Sequence, residues 1–414
     1  MRISIFILAI AYFGIASAET SQELIARIRG HMQQTLEGVP NYTCQMFVER
    51  FQRQPGVKQL SRRDALRLDV AVVARHELFA WPGEGQFKER EVGEFAKRGA
   101  FGTGNFATHL ANALNSNGVT YEVHPVEEFA GRTAYRIGYK IPAFRKPYRV
   151  KIDTQVAEAG INGQFWADAA NLDVLRLEFS LQEIPSGFPL TTASEFVEYE
   201  RVRIGSGDFL LPRKAQLELQ HDDDTVEQNR TTFSSCRQYS GESVIRFEGL
   251  AEETEAVKGP QEIKLPAKTQ ITLELRTAID STRVAIGDQL EAFVYRAVKN
   301  KGEVVIPKGA AVTGRLTRLE RMQTGQQGTI SFVGLEFTKI VFGLKFVELT
   351  AVLEEGGTIV SAALPGIRNI NRAARIFLLR EPQKKGEEDK PPVVYSSSGK
   401  LELPQGSLLV IRTF

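Results

Sequence analysis

The sequence predicts a mostly β protein with few helices, built as a curved antiparallel sheet covered by helices and followed by a second, small β-barrel-like domain. Apolar and polar residues alternate from about Tyr121 to Phe247, which is the period of half-buried strands. Helical spacing occurs in two short segments before that region. Beyond residue 262, strand-like runs joined by proline turns recur three times.

Two helices are expected to cover one face of the first sheet. The second spans Phe106 to Leu114, with Asn105 as its N-cap. The first ends near Gly38, and its apolar residues recur at helical spacing: Leu24, Ile25, Ile28, Met32 and Leu36. An antiparallel sheet with one apolar face needs such a cover, so helices and sheet are predicted to share one core.

The first eighteen residues have the three parts of a secretory signal peptide. Arg2 supplies the positive charge, Ile3–Ile15 is almost wholly apolar, and residues 16–18 are the small cleavage-site residues. A retained anchor is the alternative, but this apolar stretch is shorter than the roughly 20 residues that span a bilayer. We expect cleavage before Glu19, a periplasmic or extracellular location, and no transmembrane segment in the mature chain.

Charge and cysteine usage narrow the class of protein further. The 52 basic and 50 acidic residues nearly cancel, which gives no support for a nucleic-acid partner. Cys44 and Cys236 are the two cysteines of the chain, and an oxidising compartment favours a disulfide between them. Two unrelated buried thiols are the alternative. Neither cysteine belongs to a Cys-x-x-Cys motif, so redox catalysis and zinc lack their usual ligands.

One hairpin carries a resemblance to a known family. Residues 163–168 (Gly-Gln-Phe-Trp-Ala-Asp) and 173–179 (Asp-Val-Leu-Arg-Leu-Glu-Phe) form a strand, an acidic turn and a return strand. With the preceding helices, this pattern resembles the half-barrel of periplasmic lipoprotein carriers and outer-membrane lipoprotein-sorting proteins, over residues 20–248. The resemblance implies a half-barrel sheet around an apolar cavity that shields acyl chains.

A linker is predicted at residues 249–262, where apolar periodicity stops and glutamate dominates the charges. The predicted domains are therefore 19–248 and 263–414. The second contains a segment of charged residues, prolines and serines at 381–400, for which we expect a mobile loop.

The second domain also resembles a known family. Within 271–316, Gly287-Asp288, the run from Val304 to Gly309 and the run from Val312 to Leu316 are similar to the periplasmic β-domain of TrbI-type conjugation and type IV secretion scaffolds. The resemblance implies a β-domain that docks to envelope partners. The cytoplasmic and membrane segments of those scaffolds have no counterpart here, so the fold is expected without a necessary secretion role.

No catalytic, metal or cofactor constellation emerges from the motifs. Gly102–Ala107 matches the glycine pattern of a nucleotide-binding loop, but no buried strand leads into it. Ser397–Lys400 matches the S-x-x-K motif of penicillin-binding enzymes, but it lies in a loop segment instead of at a helix start. His221–Asp224 is interpreted as a hairpin tip rather than a metal site. The basic residues of 132–151 alternate with apolar ones, which is typical of a solvated sheet face.

Three functions remain at this stage. The first is a non-enzymatic carrier whose first domain binds a lipid or lipidated protein while the second docks to an envelope protein. The second is a structural component of an envelope assembly, and the third is an exported hydrolase, for which no nucleophile and base can be assigned. For the carrier, the predicted ligand-lining residues are Tyr135, Ile137, Tyr139, Phe165, Trp166, Leu175, Leu177 and Phe179. The alternative is that these side chains form an ordinary core.

Overall fold

The computed structural model describes most of the chain. The described residues are 20–74, 76–84, 87, 95, 106–115, 118–145, 147–152, 155–239, 260–323, 329–349, 351–353, 376–379, 393–396 and 400–413. The predicted signal peptide, residues 249–259 of the predicted linker and most of the predicted 381–400 loop lie outside these ranges. Within the described ranges, no helix has the length and apolar character that crossing a bilayer requires.

Both predicted helices are confirmed, as α1 (Ser21–Glu37) and α2 (Phe106–Asn115). α1 begins with a capping box, in which the Thr20 hydroxyl accepts from the Glu23 backbone amide and the Glu23 carboxylate accepts from the Thr20 amide. It ends at Gly38, whose amide donates to the Gln34 carbonyl. Its buried residues are those that the helical spacing identified, Leu24, Ile25, Ile28 and Met32.

The first sheet contains twelve strands in the order β3-β2-β1-β12-β11-β10-β9-β8-β6-β4, with β5 on β6 and β7 on β8. Every pairing is antiparallel, as predicted. The strands are β1 (Tyr42–Arg53), β2 (Ser61–Val73), β3 (His76–Ala80), β4 (Thr120–Val123), β5 (Glu127–Phe129), β6 (Arg132–Ile141), β7 (Tyr148–Ile152), β8 (Gln155–Asp168), β9 (Val174–Gln182), β10 (Thr192–Ile204), β11 (Gly207–Gln220) and β12 (Val226–Gln238).

The disulfide prediction is confirmed, because Cys44 and Cys236 are bonded across a sequence separation of 192 residues. Cys44 lies on β1 and Cys236 on β12, which are neighbours in the sheet. The bond therefore joins the first and last strands of this domain. Ser235, next to Cys236, has a left-handed φ of 52° at the point where the ladder shifts register.

The second domain is also built from strands. Its main sheet has the order β13-β21-β20-β19-β16-β14-β26-β22, with β24 on β20 and β23 on β24. β15 pairs separately with β25, and β17 with β18. The strands are β13 (Gln261–Glu262), β14 (Gln270–Leu275), β15 (Ile279–Asp280), β16 (Gln289–Val294), β17 (Val298–Asn300), β18 (Glu303–Ile306), β19 (Ala311–Gln323), β20 (Thr329–Phe342), β21 (Lys345–Glu348), β22 (Ala351–Leu353), β23 (Ile376–Leu379), β24 (Val393–Ser396), β25 (Glu402–Leu403) and β26 (Leu408–Thr413).

The recurring proline turns connect strands as the sequence indicated. Gly309 and Gly406, each two residues after the proline, adopt left-handed φ values of 82° and 86°. In the third copy Lys268 holds the same position with a φ of 63°. Two predicted segments contain strand: Gln261–Glu262 at the end of the linker, and Val393–Ser396 inside the 381–400 segment. The mobility of that segment and the independence of the two domains stay predictions.

The two sheets meet where a loop of the second domain pairs with the edge of β2. Ile286 forms a parallel bridge with Leu66, and its amide and carbonyl bond to the Ala65 carbonyl and the Arg67 amide at 2.7 and 2.8 Å. The Arg67 guanidinium also donates to Asp288 at 2.8 Å. β3 covers β2 from Asp69 onward, so this loop occupies the neighbouring, otherwise unpaired part of the same edge.

Loss of the disulfide is expected to lower the free energy of unfolding by about 2–4 kcal/mol, because the bond closes a long loop in the unfolded chain. The comparison is between the wild type and the double variant Cys44→Ser/Cys236→Ser in urea unfolding. Non-reducing peptide mapping of protein recovered from the envelope provides the direct check. Two free thiols there would contradict the assignment.

Gly287→Ala is expected to loosen the contact between the domains. Gly287 has a φ of 96°, and a Cβ there would collide with the Arg67 carbonyl and lie 2.8 Å from the Trp81 ring. Hydrogen exchange at the amides of Arg67 and Ile286 should accelerate at least about tenfold, equivalent to roughly 1.4 kcal/mol. Gly302→Ala is the matched control, because Gly302 has a φ of 90° and no atom within 4 Å of the added methyl. Equal exchange in both variants would contradict the prediction.

Candidate functional site

The first sheet has an interior face, defined as the face that contacts α1 and α2, and an outer face opposite to it. Contacts to α2 identify the interior face: the Tyr121 hydroxyl donates to the Ala113 carbonyl at 2.7 Å, and the His109 ring lies 5.0 Å from that of Phe179. Since successive side chains of a strand alternate between faces, these contacts assign the neighbouring strand positions as well.

Six of the eight predicted lining residues have the expected side-chain direction or packing. Ile137, Phe165 and Leu177 are at most 1% exposed on the interior face. Tyr139 and Phe179, at 3% and 7%, lie on the same face, and Tyr135 is partly buried against this core. These residues belong to one continuous core in the structure, so their role as ligand contacts stays a prediction.

The other two predicted residues lie elsewhere. Trp166 is on the outer face, where its indole N–H donates to Glu127 at 2.7 Å and its ring stacks on Phe129 at 4.7 Å. Leu175 is the extra residue of a β-bulge, because Trp166 pairs with Arg176 while the next residue of β8 pairs with Val174. Trp166 follows Phe165 on β8 and therefore points to the opposite face, and the bulge ends the alternation on which the Leu175 prediction rested.

A cluster of ionisable side chains lies in the interior, beside the aromatic residues. Glu195 of β10 and His109 of α2 are 7% and 9% exposed, and their side chains approach to 3.5 Å. The Tyr148 ring stacks 6.2 Å from His109 and lies 5.8 Å from Phe179. The hydroxyl-bearing rings of Tyr42, Tyr139 and Tyr199 are buried in the same core.

Burial shifts the pKa of each member of the cluster in the direction that disfavours its charged form. Desolvation raises the pKa of Glu195 to about 7 and lowers that of His109 to about 4. Desolvation and the charge of Glu195 together raise the pKa of Glu77, on β3, to about 7. Desolvation and the charge of Glu195 also raise the pKa of Tyr148 to about 12. Near pH 7, His109 and Tyr148 are therefore neutral, whereas Glu195 and Glu77 are close to the midpoint of their titration.

Sequence reasoning missed this cluster, although one signal was available. Along β10, Ala193, Glu195, Val197 and Tyr199 occupy the buried phase of the alternation. A carboxylate at an apolar position of a strand costs free energy unless it has partners, so it is a candidate for a functional role. The contact with His109 could not be inferred, because it joins residues 86 positions apart on a helix and a strand.

Close packing around the cluster depends on one glycine. Gly163 of β8 pairs with Tyr139 of β6. A Cβ at Gly163 would lie 2.6 Å from the Tyr139 Cζ atom, so only glycine lets the tyrosine ring cross this strand.

A groove of about 780 Å³ lies on the outer face, across β4, β6, β8, β9, β10 and β11. Two rows of directly opposed residues border it. The first row contains Thr120, Lys140, Asn162, Ser180 and Ser194, and the second contains Glu122, Gly138, Gln164, Glu178, Phe196 and Gln216. The residues between the rows also border the groove, and they include members of the interior cluster: Tyr121, Tyr139, Gly163, Phe179 and Glu195.

The chain matches no known family model, and no curated protein matches it in sequence. Two solved structures are remotely similar. A DUF1329 family protein from Desulfovibrio piger has 12% identity and a TM-score of 0.29 over 52% of this chain and 92% of its own. An outer membrane lipoprotein-sorting protein domain from Vibrio parahaemolyticus has 12% identity and a TM-score of 0.27 over 52% of this chain and 94% of its own. The second has the description that the residues of the first domain resembled, whereas the TrbI-type resemblance stays a prediction.

Glu195→Gln is expected to flatten the pH dependence of stability. The folded state retains a proton on Glu195 up to a pKa of about 7, whereas the unfolded chain releases it near 4.5, so stability falls as pH rises through this window. His109 acts in the opposite sense between about 4 and 6.5, where the unfolded chain binds the extra proton. Glu195→Gln therefore removes the contribution of Glu195 to the pH dependence of stability and retains that of His109.

Urea unfolding at pH 5 and pH 8 measures the effect. Between pH 5 and pH 8, the free energy of unfolding of the variant should rise relative to that of the wild type by on the order of 3 kcal/mol. Glu158→Gln is the control, since Glu158 is half-exposed and paired with Arg149 at the surface. Parallel profiles for wild type and Glu195→Gln would contradict the assigned shift.

Proposed function

We propose that this chain is an exported, non-enzymatic envelope protein whose first domain binds an amphiphilic molecule at the interior face, while its second domain docks to an envelope partner. The observation that carries the proposal is the burial of Glu195 and His109 among aromatic side chains. Small-molecule sites commonly combine an apolar lining with a few polar groups that orient the ligand.

The cluster has the composition expected for holding the polar end of an amphiphile. Phe179 and Tyr139 supply apolar surface, while Glu195, His109 and the tyrosine hydroxyls supply hydrogen bonds. A domain under selection for stability alone gains nothing from an interior carboxylate with a raised pKa, because a neutral apolar side chain would avoid the desolvation cost. Retention of such groups is typical of a binding site.

Binding without chemical transformation fits the same contacts. His109 contacts Glu195 and the rings of Tyr148 and Phe179, and the charge of Glu195 acts on the carboxyl group of Glu77. Both cysteines of the chain are in the disulfide, so neither thiol is available as a nucleophile. The interior groups therefore support recognition better than acyl transfer.

A structural role in an envelope assembly is the second candidate. Ile137, Phe165 and Leu177 are almost wholly buried, as they would be in a filled core. The β2 edge also receives a loop of the second domain, which is a contact mode that serves assembly. This candidate requires no ligand at the interior face.

A titration with cis-parinaric acid, a fluorescent fatty acid, separates the two candidates. The mature full-length chain should bind it saturably at micromolar concentration. Affinity should fall as pH rises from 6 to 8, because ionised Glu195 repels the anionic head, and Glu195→Gln should remove most of this fall. Phe179→Leu should weaken binding several-fold by reshaping the interior.

Phe196→Leu is the matched control, because Phe196 lies on the adjacent strand and faces outward. Thermal unfolding of each variant confirms that it is folded. Absence of saturable binding, or equal affinity in the Phe179 and Phe196 variants, would remove the carrier function and leave the assembly role.

A further inference from the structure

We propose that the outer groove binds an uncharged oligosaccharide. This site lies on the face opposite the side chains of the interior cluster and takes a different ligand from the amphiphile proposed there, although Tyr139, Phe179 and Glu195 border both. Its volume of about 780 Å³ falls within the range of small-molecule sites. The first bordering row crosses five strands and the second crosses six, at right angles, so with a strand spacing of about 4.8 Å they extend over roughly 19 and 24 Å.

The second row is held rigid by contacts within the sheet face. The Gln164 amide donates to Glu178, and Arg176 donates to Glu178 at 3.1 Å and to Glu198 at 3.0 Å. The Arg176 guanidinium lies 3.8 Å from the centroid of the Phe196 ring. Ring and guanidinium thus form a flat, ordered platform of the kind on which the apolar face of a sugar ring can pack.

The first row and the end of the second offer polar groups that are still available. Thr120, Lys140, Asn162, Ser194 and Gln216 have no side-chain hydrogen-bond or ion-pair partner among the described residues, and all five border the groove. Hydroxyl and amide groups both donate and accept hydrogen bonds, as sugar hydroxyls do. Side chains that can hydrogen-bond to sugar hydroxyls therefore lie beside the platform formed by Phe196 and Arg176.

The charges of the groove exclude strongly charged ligands. Glu122 and Glu178 offset Lys140 and Arg176, so a polyanion or a polycation meets as much repulsion as attraction. An extended peptide is also a poor match, because peptides add to a free sheet edge through backbone hydrogen bonds. Here β6, β8 and β9, which form the middle of the groove, are paired on both sides, whereas β4, at one end of the groove, is the terminal strand of the described sheet. Recognition along the middle must come from side chains, which favours a polyhydroxylated, uncharged chain.

Isothermal titration of the mature full-length protein with maltotetraose, cellotetraose and tetra-N-acetylchitotetraose tests the proposal. At least one of the three should bind saturably with a Kd below about 1 mM. Gln216→Ala and Ser194→Ala should each weaken that binding about fivefold, the effect of one net hydrogen bond. Gln45→Ala, at an exposed glutamine of β1 outside the groove, should leave it unchanged.

The Phe variants make the two sites distinguishable. Phe196→Leu should reduce oligosaccharide binding and leave cis-parinaric acid binding intact, whereas Phe165→Leu, at an interior residue that does not border the groove, should do the reverse. Absence of binding by all three oligosaccharides at roughly 5 mM would overturn the proposal. So would binding that Gln216→Ala, Ser194→Ala and Phe196→Leu leave unchanged, or a preference for polygalacturonate, an anionic glycan, over the three uncharged probes.

Discussion

The pairing of β1 with β12 is the constraint on which the first domain depends. Strands β1 to β3 come from the start of this domain and β4 to β12 from the rest, and the β1–β12 ladder joins the two groups. The Cys44–Cys236 bond fixes this junction covalently. Glu77 on β3 is five strands from Glu195 on β10 along the sheet, yet the charge of Glu195 raises its pKa. The sheet must therefore curl, and closing β1 onto β12 creates the interior in which the ionisable cluster lies.

That interior combines stability and recognition in one place. Ile137, Phe165 and Leu177 supply the apolar burial that folds the domain. In the same interior, burial disfavours the charged forms of Glu195 and His109, so near pH 7 His109 is neutral and Glu195 keeps its proton in a large part of the molecules. Neutral hydrogen-bonding groups can exchange partners at lower cost than a buried ion pair, whose separation leaves uncompensated charge. The cluster is consequently suited to accept a polar group from outside the chain.

Strand alternation lets the same strands serve two surfaces. Phe179 and Phe196 lie on adjacent strands but point to opposite faces, one into the helix-covered interior and one into the outer groove. Within the part of the chain that the structure describes, the residues that border the groove all belong to the first domain. The second domain docks on β2, where Ile286 continues the hydrogen bonding of the edge. This contact lies apart from the groove, whereas the groove and the interior share Tyr139 and Phe179.

The sequence by itself determined the mostly β class, the presence of both helices, the end of the first and the start of the second, the strand and turn pattern and the pairing of the two cysteines. These features follow from local periodicity, capping and turn chemistry, or from there being two cysteines in all. Tertiary structure decided that Trp166 faces outward beside a bulge, that Glu195 meets His109, and that two polar rows align into a groove. Each of these depends on register between strands or on a contact between distant elements, and periodicity within one segment contains no information on its partner.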